Sequence, residues 1–177
     1  MRARAVQSIL IILPLVLLLA ACGGSSHASA SPGSATLVRV IDGDTIVAKV
    51  GGREEHVRLI GIDTPETKDP RRPVECFGKE ASEHMVSLLP RGTPLRLVRD
   101  VESRDHFGRL LAYVYRQPDG LFVNLHMVKA GYAAVLTVPP NVAHVDEFVA
   151  AGAAAREANL GLWGACGGPD TPVASSG

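Results

Sequence analysis

The chain has 177 residues, with 18 Lys or Arg against 18 Asp or Glu, 46% hydrophobic residues and 5% aromatic residues. This composition is typical of a globular protein and excludes a collagen-like, a prion-like or a wholly disordered chain. The balanced charge excludes a long polybasic nucleic-acid clamp, although it is compatible with a compact site for one or two phosphates.

Residues 1–21 are typical of a secretory signal peptide. Arg2 and Arg4 precede an apolar run over 9–21, which is too short to span a bilayer comfortably. Small residues then precede Cys22, and this junction resembles a bacterial lipobox, in which the cysteine is acylated. We favour a lipoprotein over an ordinary cleaved signal that is followed by a cysteine by chance.

The composition after the signal divides the rest of the chain into three parts. Residues 22–35 are rich in Gly, Ser and Ala and predict a flexible linker. Residues 36–166 have the composition of one folded domain without internal repeats. Residues 167–177 are again small and polar, and we expect a disordered tail.

Two further cysteines, Cys76 and Cys166, lie in a chain that carries an export signal. An oxidising setting favours a disulfide between them, which would close a loop of about 90 residues and stabilise the fold by roughly 4 to 5 kcal/mol. Two free thiols or a pair of zinc ligands are the alternatives. Zinc is disfavoured because the six histidines are scattered and no HExxH or CxxC spacing is present.

Hydrophobic patterning predicts an α+β fold with a small barrel. Tight turns at Asp42-Gly43 and Gly51-Gly52 separate the first three strands of a meander. The expected strands are 36–41, 45–50, 56–62, 94–98 and 110–115, and the expected helices are 74–89, 123–130 and 141–158. Asn141 is a candidate cap of the last helix. The segment 68–73 has two prolines and three cations, so we expect an irregular cationic loop.

Five charged residues stand where a core pattern would not place them. Asp44 follows the first turn, Arg58 interrupts an apolar strand, Asp63 and Glu66 follow that strand, and Arg109 precedes the fifth strand. Each acid, and Arg109, has an ordinary structural explanation on its own, such as a turn or a solvated surface. Arg58 needs a partner, because an unpaired buried charge costs several kcal/mol.

Together these residues have the chemistry of a phosphodiesterase. Asp44 and Asp63 are hard oxygen donors without a neighbouring His or Cys, which favours Ca²⁺ or Mg²⁺. Pro65 holds Thr64 extended, so the Thr64 carbonyl can face the same point. A nearby carboxylate can deprotonate water, and two guanidiniums can neutralise charge that develops on phosphoryl oxygens.

Five segments in register resemble the staphylococcal nuclease (thermonuclease) family. They are VIDGDT (40–45), VRLIGIDTPE (57–66), VECFGKEA (74–81), HFGRLLAYVY (106–115) and NLGLW (159–163). The resemblance implies an OB-fold, a five-stranded β-barrel with three α-helices. It also implies a Ca²⁺-dependent endonuclease that acts on DNA and RNA and leaves 3′-phosphate products.

The resemblance also assigns roles to individual residues. Asp44, Asp63 and the Thr64 carbonyl correspond to the calcium ligands, with Mg²⁺ or Mn²⁺ as alternative ions. Glu66 corresponds to the general base, whose assignment in the family is debated. Arg58 and Arg109 correspond to the residues that stabilise the transition state.

Two cysteines also match the family pattern, whereas three apolar residues depart from it. The Cys76–Cys166 pair is similar to the disulfide of many exported relatives. Leu136 and Val138 stand where the best-known member has two tyrosines, one of which stacks on a base, so we expect weaker nucleotide binding and less base preference. Phe107 stands at a position that is usually tyrosine and lacks a hydroxyl for a phosphate.

The leading expectation from the sequence is a monomeric nuclease that a lipid on Cys22 tethers to the outer face of the cell membrane. Nucleic acid is its expected substrate, and no protein partner is expected. One alternative is a non-catalytic OB-fold lipoprotein that binds nucleic acid or a protein. Another is a surface lipoprotein that calcium stabilises, with purely structural acids.

Overall fold

The computed structural model describes residues 33–67 and 74–173. The expected signal peptide, Cys22, most of the linker, the cationic loop 68–73 and residues 174–177 lie outside the described residues. Within these two ranges, no helix is long and apolar enough to cross a membrane.

The described strands are β1 (Ser34–Val40), β2 (Thr45–Val50), β3 (Arg53–Leu59), β4 (Ile62–Asp63), β5 (Pro94–Val98), β6 (Leu110–Arg116) and β7 (Ala134–Val135). Five of these strands close a barrel in the order β1-β2-β3-β6-β5. Neighbouring strands are antiparallel except β3 and β6, which are parallel. The predicted five-stranded α+β barrel is therefore confirmed.

The third strand ends earlier than its apolar pattern suggested. We expected it to run to residue 62, but β3 ends at Leu59 and the backbone bends at Gly61, whose φ is +83°. A Cβ at Gly61 would collide with the ring of Phe148, so this position needs glycine both for its conformation and for space. The chain then continues as β4, which pairs with β7.

The helices differ from the expected set in number and in their starts. The described residues form α1 (Gly78–Leu88), α2 (Val123–Lys129), α3 (Val145–Glu157) and the short α4 (Leu162–Cys166), so the expectation of three helices missed α4. Helix α1 begins at Gly78 because Phe77, with φ of 70°, is left-handed. The assignment of Asn141 as a cap was wrong: its amide bonds to the backbone of Glu102 through N–H···O contacts of 2.8 and 3.2 Å.

One buried polar side chain ties α2 to the barrel. Asn124 is fully buried, and its Oδ1 accepts a hydrogen bond of 2.8 Å from the Val114 backbone N–H. Its Nδ2 donates to the carbonyls of Ile60, at 2.8 Å, and Ala112, at 3.3 Å. These bonds offset the cost of burying the amide and fix α2 across the strands that carry the candidate site.

The structure has defined contacts on both sides of the domain expected at residues 36–166. The linker was expected to run to residue 35, whereas Ser34 belongs to β1 and Ala35 is buried. Beyond residue 166, where a disordered tail was expected, the Thr171 carbonyl accepts a hydrogen bond of 2.7 Å from the Cys76 N–H. Cys76 and Cys166 form a disulfide, which holds this end of the chain beside the start of α1.

Candidate nuclease site

A small cavity at the edge of the barrel brings the predicted site residues together. Its volume is about 110 Å³. Its lining includes all six of the expected site residues, Asp44, Arg58, Asp63, Thr64, Glu66 and Arg109, and three others, Asp42, Thr45 and Pro65. Residues separated by up to 67 positions in the chain, from Asp42 to Arg109, therefore share one concave surface.

The β1–β2 turn packs tightly against the loop that follows β4. A Cβ at Gly43 would lie 2.6 Å from the methyl carbon of Thr64, so the absence of a side chain allows this close approach. Asp44 Oδ2 then accepts hydrogen bonds of 2.9 Å from the Thr64 backbone N–H and 3.2 Å from the Thr64 hydroxyl. Thr45 donates its hydroxyl to Asp44 Oδ1 at 2.9 Å. Asp44 is thereby buried with both oxygens in use.

Arg58 lies in β3, and its side chain is only 13% exposed. Its Nη1 donates to the carbonyls of Leu59, at 3.1 Å, and Ile62, at 2.8 Å. Its Nη2 forms ion pairs with Asp44 Oδ2 at 3.1 Å and with Asp63 Oδ1 at 2.7 Å. The guanidinium thus has the partners that a buried charge requires, as expected from the sequence. These partners include the carboxylates of both expected cation ligands, Asp44 and Asp63.

Glu66 is held by a second glutamate that the sequence analysis did not select. The Glu66 N–H donates to Glu75 Oε2 at 2.8 Å, and the Glu75 N–H donates to the Glu66 carbonyl at 2.9 Å. The side chain of Glu66 accepts a bond of 2.8 Å from the Thr67 N–H. Glu75 is buried, whereas its sequence context, between an irregular loop and a helix, gives no signal of that burial.

Arg109 enters the site from a tight turn before β6. Its Nε donates to Asp105 Oδ2 at 2.6 Å, and its backbone N–H donates to Asp105 Oδ1 at 2.9 Å. Burial would raise the pKa of Asp105, but these hydrogen bonds together with the charge of Arg109 hold that pKa below its usual value. Asp105 was also absent from the sequence-based set.

Asp42 is the third acid that the sequence analysis missed. Burial, reinforced by the charge of the neighbouring Asp44, raises the pKa of Asp42 to about 6. Asp42 Oδ1 also accepts a bond of 3.2 Å from the Asp44 N–H. Its place at the Asp42-Gly43 turn indicated only a structural role in that turn.

The charges that line the cavity fit a dication. Four carboxyl groups, from Asp42, Asp44, Asp63 and Glu66, outnumber the two guanidiniums, so the fully ionised lining has a net negative charge. Carboxylates and a backbone carbonyl are the oxygen donors that Ca²⁺ prefers. No cluster of three or more His, Cys, Asp and Glu side chains in 33–67 and 74–173 has the arrangement of a preformed metal site. This agrees with the ion pairs that occupy Asp44 and Asp63 here.

A second, larger cavity adjoins the first, since Arg58 and Arg109 line both. Its volume is about 600 Å³, and Leu136 and Val138 lie on its wall. Phe107 does not line it. The Phe107 ring is 71% exposed, and the Arg109 guanidinium carbon lies 5.4 Å from the centre of that ring. A largely apolar cavity that is also lined by three arginines, Arg58, Arg104 and Arg109, has the dimensions and chemistry to hold a nucleoside.

Comparison with known proteins agrees with this geometry. Residues 56–165 match the family model "Staphylococcal nuclease homologue". The chain is 42% identical to the thermonuclease of Staphylococcus intermedius over 125 residues, which cover 71% of this chain and 73% of that protein. It is 40% identical to the endonuclease YncB of Bacillus subtilis over 134 residues, 75% of this chain and 62% of that protein. The thermonuclease of Staphylococcus hyicus is 35% identical over 127 residues, which cover 72% of this chain and 73% of that protein.

The closed barrel, the site at its edge and these relatives define a hydrolase of the nuclease class. The chain belongs to the staphylococcal nuclease family.

Proposed function

We propose that this protein is a Ca²⁺-dependent endonuclease that hydrolyses DNA, RNA or both and leaves 3′-phosphate ends. The observation that carries the proposal is the convergence of Asp44, Asp63, Glu66, Arg58 and Arg109 on one cavity of about 110 Å³. A protein that only binds nucleic acid needs cations and stacking surfaces, and has no need of a cluster of carboxylates beside them.

The cation would be held by Asp44, Asp63 and the Thr64 carbonyl, and Asp42 lies close enough in the chain to support it. Bound there, Ca²⁺ would polarise a phosphoryl oxygen and offset the negative charge of the lining. The alternative ions Mg²⁺ and Mn²⁺ share the preference for oxygen donors.

The protein's own residues would carry out the proton transfer and the charge stabilisation. Glu66 would take a proton from the attacking water, whose oxygen bonds to phosphorus while the bond from phosphorus to the 5′-oxygen breaks. The departing 5′-oxygen gains a proton, which yields a 5′-hydroxyl and a 3′-phosphate. Arg58 and Arg109 would neutralise charge on the phosphoryl oxygens, and Arg109 would also assist the leaving group.

Digestion of a labelled oligonucleotide tests this proposal directly. We expect cleavage of single-stranded DNA or RNA with Ca²⁺, no cleavage with EDTA, and loss of at least about 100-fold in kcat for Arg58→Ala and for Glu66→Ala. Arg91→Ala is the matched control, because Arg91 is exposed and lines neither cavity. The 3′-phosphate is identified by products that a polymerase extends only after phosphatase treatment. Full activity in EDTA, or in either site variant, would contradict the proposal.

We further propose that the enzyme is a monomer that is exported and attached to the outer face of the cell membrane through a lipid on Cys22. The support is the sequence of residues 1–35, which combines a signal-like run, a lipobox-like junction and a small-residue linker. Mass spectrometry of the mature N-terminus should find an acylated Cys22, and Cys22→Ala should release the activity into the medium. An unmodified N-terminus at another residue would refute the anchor.

A further inference from the structure

We propose that Asp105 is a positioning residue for Arg109: it holds the guanidinium at Nε, so that only the Nη1/Nη2 end remains for the scissile phosphate. This inference rests on the proposed nuclease function. It assigns a role to a carboxylate that lines the larger cavity but not the small one, and that was not among the site residues expected from the sequence.

The turn from residue 105 to 109 is closed by its own backbone. The Asp105 N–H donates to the Arg109 carbonyl at 3.0 Å, and the Gly108 N–H donates to the Asp105 carbonyl at 2.9 Å. Gly108 has a φ of +82°, which favours glycine at this turn. The side chain of Asp105 is 14% exposed, and its Oδ1 accepts the N–H groups of Phe107, at 3.0 Å, and Arg109, at 2.9 Å.

The other oxygen of Asp105 makes the contact that matters for chemistry. Oδ2 accepts the Arg109 Nε–H at 2.6 Å, a short charge-assisted bond. A guanidinium can meet an oxyanion along its Nε/Nη edge or along its Nη1/Nη2 end. With Nε occupied, the first geometry is blocked and the second remains. Among residues 33–67 and 74–173, no acceptor bonds Nη1 or Nη2 of Arg109.

Arg58 is held in the opposite way. Its Nη1 and Nη2 bond to the Leu59 and Ile62 carbonyls and to Asp44 and Asp63, while no bond to its Nε occurs within the described residues. Within the described residues, the two arginines therefore differ in which of their nitrogens remain available to a phosphate. Two guanidiniums that approach one phosphate from different edges can bond to different oxygens, as charge spread over several phosphoryl oxygens requires.

The turn is also anchored without the Asp105 side chain. Arg104 pairs with both carboxylate oxygens of Glu55 on β3, at 2.9 and 3.0 Å, and its Nη1 donates to the Gly108 carbonyl at 2.6 Å. Loss of Oδ2 alone should therefore leave the backbone of the turn in place. This separates a positioning role of Asp105 from a purely structural one.

Asp105→Asn isolates the contact. The asparagine carbonyl oxygen can keep both backbone bonds, whereas its amide NH₂ cannot accept the Arg109 Nε–H. Asp119→Asn is the matched control, since Asp119 likewise bonds the Nε of an arginine, Arg116, at 2.9 Å, but lines neither site cavity.

Steady-state cleavage of an oligonucleotide with Ca²⁺ gives the primary readout. For Asp105→Asn we expect kcat to fall by about 10- to 100-fold with KM within about twofold, because a misdirected guanidinium weakens transition-state contacts more than substrate binding. Asp119→Asn should keep the wild-type kcat. In an Arg109→Ala background, measured under single-turnover conditions, Asp105→Asn should cause no further loss. In ¹H–¹⁵N spectra, the Arg109 Nε–H should exchange faster with solvent in Asp105→Asn only.

Three results would overturn the proposal: a folded Asp105→Asn enzyme with wild-type kcat, an equal loss in the Arg109→Ala background, or an unchanged Arg109 Nε–H. These are distinct from failure of the proposed function, in which the wild-type protein itself cleaves no phosphodiester. The exchange measurement needs no activity, so it tests the contact in either case.

Discussion

Arg58 occupies the position of a counter-ion for both expected cation ligands, and its removal should strengthen calcium binding. In the structure, Arg58 Nη2 pairs with Asp44 and Asp63 at 3.1 and 2.7 Å. Calcium that binds these carboxylates must displace or share that group. We therefore predict that Arg58→Gln, in the absence of nucleotide, binds Ca²⁺ more tightly than the wild-type protein although it loses catalysis.

The magnitude follows from the burial of the two ion pairs. The Arg58 and Asp44 side chains are 13% and 9% exposed, whereas Asp63 is 46% exposed, so solvent screens the Asp63 pair. A net competition of about 1 to 2 kcal/mol is reasonable for one buried and one screened pair, and it corresponds to roughly a 5- to 30-fold lower Kd.

Isothermal titration with CaCl₂ measures this affinity without substrate. Arg104→Gln is the control, because it removes one positive charge from the larger cavity, where Arg104 pairs with Glu55 rather than with the expected ligands. If the effect came from net charge alone, both variants would bind more tightly by the same factor. Equal or weaker calcium binding by folded Arg58→Gln would refute the competition.

Two further predictions concern the larger cavity, where Leu136 lies, and the contact of His84 on α1 with His126 on α2. Leu136→Tyr should tighten the binding of a nucleotide by about 1 to 3 kcal/mol, because the new ring can stack on the base. Leu160→Tyr is the control and should not tighten binding, since Leu160 is similarly exposed but lies outside both cavities. If titration gives the same affinity for Leu136→Tyr as for the wild-type protein, the result contradicts a base site at Leu136. The Nε2 atoms of His84 and His126 lie 3.2 Å apart, and burial lowers the pKa of both, with further lowering of His84 by His126 and of His126 by the charges of Arg116 and Lys129. Since both histidines have a lower pKa in the folded protein than in the unfolded chain, the unfolded chain binds more protons as the pH falls. The free energy of unfolding should therefore decrease below about pH 6.5, by at most about 1.4 kcal/mol per pH unit for each histidine. Urea denaturation at pH 7.5 and 5.5 should show a smaller decrease for His126→Gln, and an unchanged decrease would contradict the assignment.

The barrel could be predicted because its signals are local. Asp42-Gly43 and Gly51-Gly52 mark turns between short β-rich segments, the first of which alternates polar and apolar residues. The end of β3 could not be predicted in the same way, since the apolar pattern continues through Gly61. The space at that glycine is limited by Phe148, which is 87 positions away in the chain.

The site was partly predictable for a related reason. Asp44, Asp63 and Arg109 stand at strand ends or beside turns, where charges are conspicuous against apolar runs. Asp105 and Glu75 lie in polar segments, where an acidic residue is expected on the surface. Only their burial and hydrogen bonds in the structure distinguish them from surface acids. Asn141 was misassigned because a polar residue before a helical pattern favours a cap, although its actual partner is the backbone at Glu102.

The disulfide also has a consequence for the order in which the chain is made. Cys166 is synthesised 90 residues after Cys76, and Cys76 directly follows Glu75, which holds the backbone of Glu66. The disulfide beside the loop that carries Glu66 can therefore form only after all five barrel strands have been synthesised. A product that stops between Arg116 and Cys166 retains those five strands but lacks this covalent link.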